Sequence, residues 1–140
     1  MHVRLIAVGR LREPYIVSAA EDFRARLRPY HRLEEIEVRS DDAILRHVEP
    51  GDEVWLLERT GTQLSSEGLA RKLEAMQTHG HSRLTLIVAG AYGAPAGVVE
   101  RAAFLWSLSE LTFLHEWARV IVLEQLYRAA KIIRNEPYHH

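Results

Sequence analysis

The sequence contains no cysteine. That excludes disulfides and thiolate-bound zinc, and it fits a reducing compartment. Long hydrophobic runs are missing as well. The apolar stretch nearest the start, Leu5 to Val8, is too short for the core of a secretory signal. No segment approaches the roughly 18 apolar residues of a membrane span. The expectation is a cytoplasmic protein without membrane contact. Nor is there an excess of one charge, since the formal net charge is −1. Proteins that coat nucleic acid non-specifically are usually far more basic. Any nucleic-acid contact here must be local or shared between subunits. The terminal stretch suits it: Arg128, Lys131 and Arg134 face only Glu136, and His139 and His140 follow. His79 and His81 flank Gly80 with no third ligand nearby, so no metal site is expected.

What is present is an ordinary soluble composition, 140 residues of which 47% are hydrophobic, enough for one domain with its own core. Short apolar runs alternate with helical periodicity. Strands are expected at Val3–Val8, Leu33–Val38, Val54–Leu57, Leu84–Val88 and Leu105–Leu108. Helices are expected at Pro14–Leu27, from the Ser65/Ser66 cap to about Thr78, at Ala96–Phe104 and at His115–Ile133, with a short one at Asp41–His47. This alternation argues an α/β fold with a mostly parallel sheet, in which ligands sit at the carboxyl ends of strands. The last helix is apolar on two sides, through Trp117, Val120, Ile121, Leu123, Leu126, Ala130 and Ile133. A helix covering one sheet face needs one stripe, so a second partner is expected, plausibly another copy of the chain.

One such strand end reads Leu86-Ile87-Val88-Ala89-Gly90-Ala91-Tyr92-Gly93. A Rossmann fingerprint would place glycines at 92 and 95, where Tyr92 and Pro95 stand, and a P-loop would end in Gly-Lys-Ser/Thr. Neither phosphate cradle fits, although Gly90 and Gly93 permit close backbone approach. The second notable stretch, Trp106 to His115, is too apolar for an idle surface loop. Its backbone groups with Leu108 and Leu111 suit an adenine ring. His115 opens the long helix as a possible base. Arg119, among apolar neighbours, requires a partner, either substrate or a structural glutamate. Arg128 and Lys131 are either phosphate contacts or a solvated face.

The segments RLIAVGRLREPY, LSSEGLA, LIVAG-x-x-G, SLSELTF-x-H, RV-x-x-x-EQLYRA-x-KI and N-x-PYH resemble the RlmH family of SPOUT methyltransferases over nearly the whole chain. The resemblance implies an α/β knot, with a C-terminal trefoil knot forming the cofactor pocket. It implies a homodimer that uses S-adenosylmethionine to methylate the N3 atom of a pseudouridine in 23S rRNA of the ribosome. Cofactor contacts would fall on Leu57, on the glycine turn at Ala89, Gly90 and Gly93, and on Leu108, Ser109, Glu110, Leu111, Thr112 and Phe113. His115, Arg119, Tyr138 and His139 would serve catalysis, and Arg128, Lys131 and His139 would contact RNA. The chain departs from the family pattern at Ala89, the place of its first glycine, and at Leu114, the place of a proline. It departs also in a shortened 41–50 region and in a tail lacking the usual basic residue after Tyr138-His139. Two other readings remain open: a relative that docks on the ribosome without transferring methyl, and an unrelated nucleotide-binding module such as a flavin carrier.

Overall fold

The computed structural model describes residues 1–139; His140, the end of the tail considered above, lies outside the described residues. Five strands, β1 (His2–Val8), β2 (Arg32–Val38), β3 (Glu53–Gln63), β4 (Arg83–Val88) and β5 (Phe104–Ser107), form one sheet in the order β2-β1-β4-β3-β5. Every neighbouring pair is parallel. The helices are α1 (Pro14–Leu27), α2 (Ser66–Thr78), α3 (Ala96–Arg101) and α4 (His115–Ile133), and a 3-10 turn spans Asp41–His47.

Local chemistry sets the helix ends. Pro14 occupies the first turn of α1, where its missing N–H is no loss. The Ser65 hydroxyl accepts from the Gly68 N–H at 2.9 Å and starts α2. Gly80, at φ +83°, lets the chain leave that helix. The α3 helix stops at Arg101, short of the Phe104 expected from its apolar sequence. The Ala103 N–H instead donates to the Val54 carbonyl at 2.8 Å and draws the chain into the sheet. On the other side of that join, β3 runs six residues beyond the expected Leu57.

Two cores cover the two sheet faces. On one, Leu5, Leu86 and Trp55 pack with Ile16 and Ala20 of α1, Leu69 and Leu73 of α2, and Leu123 and Leu126 of α4. On the other, Ile6, Ile87 and Leu56 pack with Ile44 of the 3-10 turn and Val98 of α3, and smaller residues such as Ala43, Ala94 and Ala102 close the edges. The α4 helix finds much of its double-sided burial inside the chain, against both α1 and α2. Exposed apolar surface remains around its start: Leu111 is 70% exposed, Leu114 54% and Trp117 38%.

Connections leave β1 toward β2 on one side and β4 toward β5 on the other. Adjacent parallel strands whose connections diverge create a crevice at their carboxyl ends, the usual ligand position in open α/β sheets.

His31, between α1 and β2, gives the fold a pH dependence. It is buried, and neither ring nitrogen has a hydrogen-bond partner among the described residues. Burial, followed by the positive charges of the N-terminus and Arg134, pushes its pKa down to about 4. An unfolded histidine titrates near 6.5. Between these values the unfolded chain binds more protons, so stability is full above about pH 6.5 and declines as pH falls to about 4. The expected decline is roughly 3 kcal/mol. Urea unfolding from pH 7 to pH 4 should show it, and His31→Phe should flatten the profile. Parallel profiles for the two proteins would rule out His31 as the source.

Candidate active site at the carboxyl end of the sheet

The crevice is a cleft of about 290 Å³ with three walls. The first comes from an irregularity in β3. Leu57 pairs with Trp106 of β5, and so does Thr62, so residues 58–61 stand out from the ladder. Glu58 and Arg59 of this bulge line the cleft beside Leu57. The Ser107 hydroxyl lies 2.8 Å from the Arg59 carbonyl and ties the bulge to the end of β5. Gly61 is obligatory: a Cβ there would lie 2.4 Å from the Leu105 carbonyl oxygen.

The second wall is the glycine turn after β4, with Ala89, Gly90 and Gly93 all lining the cleft. Gly93, at φ +89°, adopts a conformation that a side chain disfavours, and its N–H donates to the Gly90 carbonyl at 3.0 Å. Ala89 also packs against the second core, so its methyl group has an apolar neighbour.

The third wall is the apolar loop. Leu108, Ser109, Leu111, Thr112 and Phe113 line the cleft. Glu110 does not; its carbonyl accepts from Arg59 Nη1 at 3.3 Å, a second tie between loop and bulge. Ser109 Oγ accepts from the Leu111 N–H at 3.0 Å and rounds off the turn. Nine of the ten residues that the family resemblance singles out for the cofactor thus share one cleft. Glu58, Arg59 and Trp106 join them. Sequence reading missed the first two because the polar bulge carries no periodic signal, while Trp106 belongs both to the first core and to the cleft wall.

The residues expected for catalysis and RNA contact fall in three places. His115 lines the cleft, and its Nε2 lies 2.9 Å from the Val8 carbonyl. A carbonyl only accepts, so the ring carries a proton on Nε2, and the neutral tautomer that keeps this bond presents Nδ1 as an acceptor. Arg119, one turn on, is 2% exposed and lies outside the lining. Its guanidinium donates to Glu37 at 2.8 Å and lies 3.8 Å from Glu35, so its partners are glutamates of β2.

The tail residues lie further off. Tyr138 rests edge-on against Tyr127, 4.7 Å between centroids, with the Arg128 guanidinium 4.7 Å from its ring. Burial raises the Tyr138 pKa above the usual phenol value. Arg128 donates to Glu124 at 2.8 Å and to His139 Nδ1 at 3.0 Å, while His139 Nε2 lies 3.0 Å from Glu67 of α2. Lys131 faces Tyr30 and Glu136, and hydrogen bonding to Tyr30, ahead of Glu136, raises its pKa. Thirteen residues of helix separate His115 from Arg128, roughly 20 Å. The tail therefore folds back on its own α4, along the helix and away from its own chain's cleft. His79 Nδ1 donates to the Ala75 carbonyl at 2.7 Å as a helix-end contact. Among the described residues no group of three or more His, Asp or Glu is placed to hold a metal ion, and no helix is long and apolar enough to cross a membrane.

A parallel sheet with a cleft at its switch point, walled by a glycine turn and an apolar loop, defines an α/β protein with a candidate ligand cleft where such folds usually hold their ligands. The family described as predicted SPOUT methyltransferase matches residues 1–139. A ribosomal RNA large subunit methyltransferase H of Gloeobacter violaceus is 43% identical over 153 aligned residues, covering 100% of this chain and 99% of the relative. Its namesake in Halothermothrix orenii is 35% identical, covering 99% of each. Among solved structures, a probable methylase family protein from Haemophilus influenzae Rd KW20 shares the fold. Its TM-score is 0.62 at 12% identity, covering 95% of this chain and 68% of that one. The chain belongs to the SPOUT methyltransferase family, and its relatives include proteins named ribosomal RNA large subunit methyltransferase H.

Proposed function

We propose that this protein transfers a methyl group from S-adenosylmethionine to the N3 atom of a pseudouridine in 23S rRNA of the ribosome. One observation carries the reading: the apolar loop and the glycine turn, far apart in sequence, line one cleft. The chemistry of that lining fits the cofactor. Leu57, Leu108, Leu111 and Phe113 provide apolar surface for an adenine, and the Glu58 carboxylate suits a cationic ligand. Glycine-rich phosphate cradles are absent, in keeping with a ligand that carries no phosphate.

Bound there, S-adenosylmethionine would supply a methyl group already activated by its sulfonium, which leaves alignment and proton removal to the protein. His115 is fixed at the cleft wall through Nε2, so in its neutral form Nδ1 is the candidate acceptor for the N3 proton of the base. Arg119 acts indirectly, by holding the start of α4 to β2 and to the Gly9 carbonyl. The loop 108–114, crossing from β5 to the start of α4, is the segment that would close the trefoil knot.

Two chains would pair through the exposed apolar patch of Leu111, Leu114 and Trp117. That pairing is the means by which Tyr138, His139, Arg128 and Lys131 would serve a cleft, since they lie far from the cleft of their own chain. Work on ribosomes would place the protein in the cytoplasm.

The test uses ribosomes lacking the modification and S-adenosylmethionine labelled in its methyl group. Label is expected on the pseudouridine N3 atom, and cofactor should bind at micromolar strength, about −8 kcal/mol. Ribosome binding without label transfer would replace this reading with that of a docking protein. Ala89→Gly bears on the same choice. Because the Ala89 methyl already packs on the second core, cofactor affinity should change less than about threefold, or 0.7 kcal/mol. A gain of tenfold in calorimetry would show that Ala89 obstructs the cleft.

A further inference from the structure

The Gly90 N–H is held by a side chain from a distant element. Asp41 Oδ1 accepts from it at 2.9 Å. Asp41 opens the 3-10 turn after β2, while Gly90 begins the glycine turn after β4. In the sheet β1 lies between these two strands. The carboxylate therefore reaches across the end of β1, and Val8 stands beneath the contact. A Cβ built on Gly90 would lie 3.2 Å from Asp41 Oδ2 and 3.6 Å from Val8 Cγ1. Gly90 is thus clasped between a carboxylate and a valine, and its other side faces the cleft.

The clasp is well anchored. Ile44, three residues after Asp41, is fully buried in the second core and fixes the 3-10 turn. The Ala43 N–H closes that turn on the Ser40 carbonyl at 3.1 Å. By contrast, the glycine turn between β4 and α3 has few ties of its own. The Gly93 to Gly90 hydrogen bond is internal to it, and Tyr92 at its tip is fully exposed. Ala89 and Ala94 pack on the second core at its two ends, and between them Asp41 supplies a polar tie to the backbone of the turn.

We propose that Asp41 is a positioning residue for the cofactor cleft, holding the glycine turn in its ligand-ready place by accepting the Gly90 N–H. The proposal rests on the cofactor reading above. Hydrogen bonds to a charged acceptor are stronger than neutral ones, and a side-chain amide oxygen can accept the same N–H. Asp41→Ala should therefore weaken S-adenosylmethionine binding about tenfold, and Asp41→Asn should restore it to within about threefold. In turnover, Asp41→Ala should raise the cofactor KM about tenfold and leave kcat at saturation within about twofold.

A second measurement needs no cofactor. In ligand-free protein, exchange of the Gly90 amide should be faster in Asp41→Ala than in the parent by about tenfold or more, with protection in β1 and β4 unchanged. Calorimetry on the three proteins separates this inference from the reading it rests on. If the parent does not bind S-adenosylmethionine, the cofactor reading fails, and the amide exchange still decides the clasp. If the parent binds and Asp41→Ala binds equally well, the proposal is overturned. Equal weakening in the alanine and asparagine proteins, with loss of protection throughout the sheet, would also overturn it, because Asp41 would then be a general stabiliser.

Discussion

Gly61→Ala is expected to destabilise the protein by about 3 kcal/mol or more and to abolish cofactor binding with it. The added methyl carbon would sit 2.4 Å from the Leu105 carbonyl oxygen and 2.7 Å from its carbon. Both are backbone atoms of β5, pinned by the pairing of Leu56 with Leu105, so neither can swing aside like a side-chain tip. The overlap is relieved only if β3 and β5 part along the bulge. That bulge carries Glu58 and Arg59 into the cleft, and through Ser107 and Glu110 it supports the apolar loop. Stability and ligand binding should therefore fall together. Thermal unfolding checks the first: for a chain of this size about 3 kcal/mol corresponds to roughly 10 °C. Calorimetry with S-adenosylmethionine, well below the new midpoint, checks the second. Gly68→Ala is the control. Its added carbon would be 3.1 Å from the exposed Ser65 hydroxyl oxygen, which need shift only a few tenths of an ångström and can keep its bond to the Gly68 N–H. A midpoint in Gly61→Ala within 2 °C of the parent would show that β5 yields without cost, against the close approach the fold requires.

The contrast between α2 and this bulge explains which parts of the structure were legible in sequence. The bounds of α1, α2 and α4 could be read because their signals are local: Pro14, the Ser65 cap, Gly80 and unbroken helical spacing. The parallel sheet followed from the alternation of short apolar runs with those helices. The extension of β3 through Glu-Arg-Thr-Gly-Thr-Gln is polar and follows no period of two. It is a strand because Thr62 and Gln63 find Trp106 and Ser107 across the ladder, a pairing that no local pattern encodes. The cleft divides in the same way. The apolar loop announced itself by being too hydrophobic for a surface connection, and the family resemblance indicated the glycine turn. Glu58, Arg59 and Asp41 were not visible, because each depends on a contact between elements distant in sequence. The direction of the tail was also hidden. Pro137 marked the stop of α4, but Tyr138 lies on Tyr127 because that ring offers an apolar partner on the same helix.

Arg119 sharpens the distinction between a residue that performs chemistry and one that holds its neighbours, and Arg119→Met should separate the two. Arg119 links α4 to β2 through Glu37 and Glu35, and to the end of β1 through the Gly9 carbonyl at 3.4 Å. Glu35 is also joined to Arg24 of α1, so two arginines and two glutamates form one network, with Arg119 and Glu35 mostly buried and Arg24 and Glu37 at its wetter edge. Burial, followed by the charge of Arg119, lowers the pKa of Arg24, as expected for cations held together away from water. Removing Arg119 takes away the close partner of Glu37, which is part-exposed and can rehydrate, so the cost should be about 1–3 kcal/mol, below that of a fully buried pair. Methionine keeps much of the volume, so the loss should be electrostatic. Glu37→Gln, added to Arg119→Met, should then recover part of the stability, since Glu37 is the carboxylate that loses its close partner while Glu35 keeps Arg24. A direct catalytic role predicts a different pattern. Stability would change little, kcat would fall by orders of magnitude, and the glutamine substitution would restore nothing. Urea unfolding of the single and double variants, with methyl transfer measured on whichever remain folded, distinguishes these outcomes. Because His115 is anchored to Val8 one residue before Gly9, a structural Arg119 should also affect activity through that anchor. Partial return of activity in the double variant, in step with stability, is therefore the signature of an ion pair that holds the cleft wall in place.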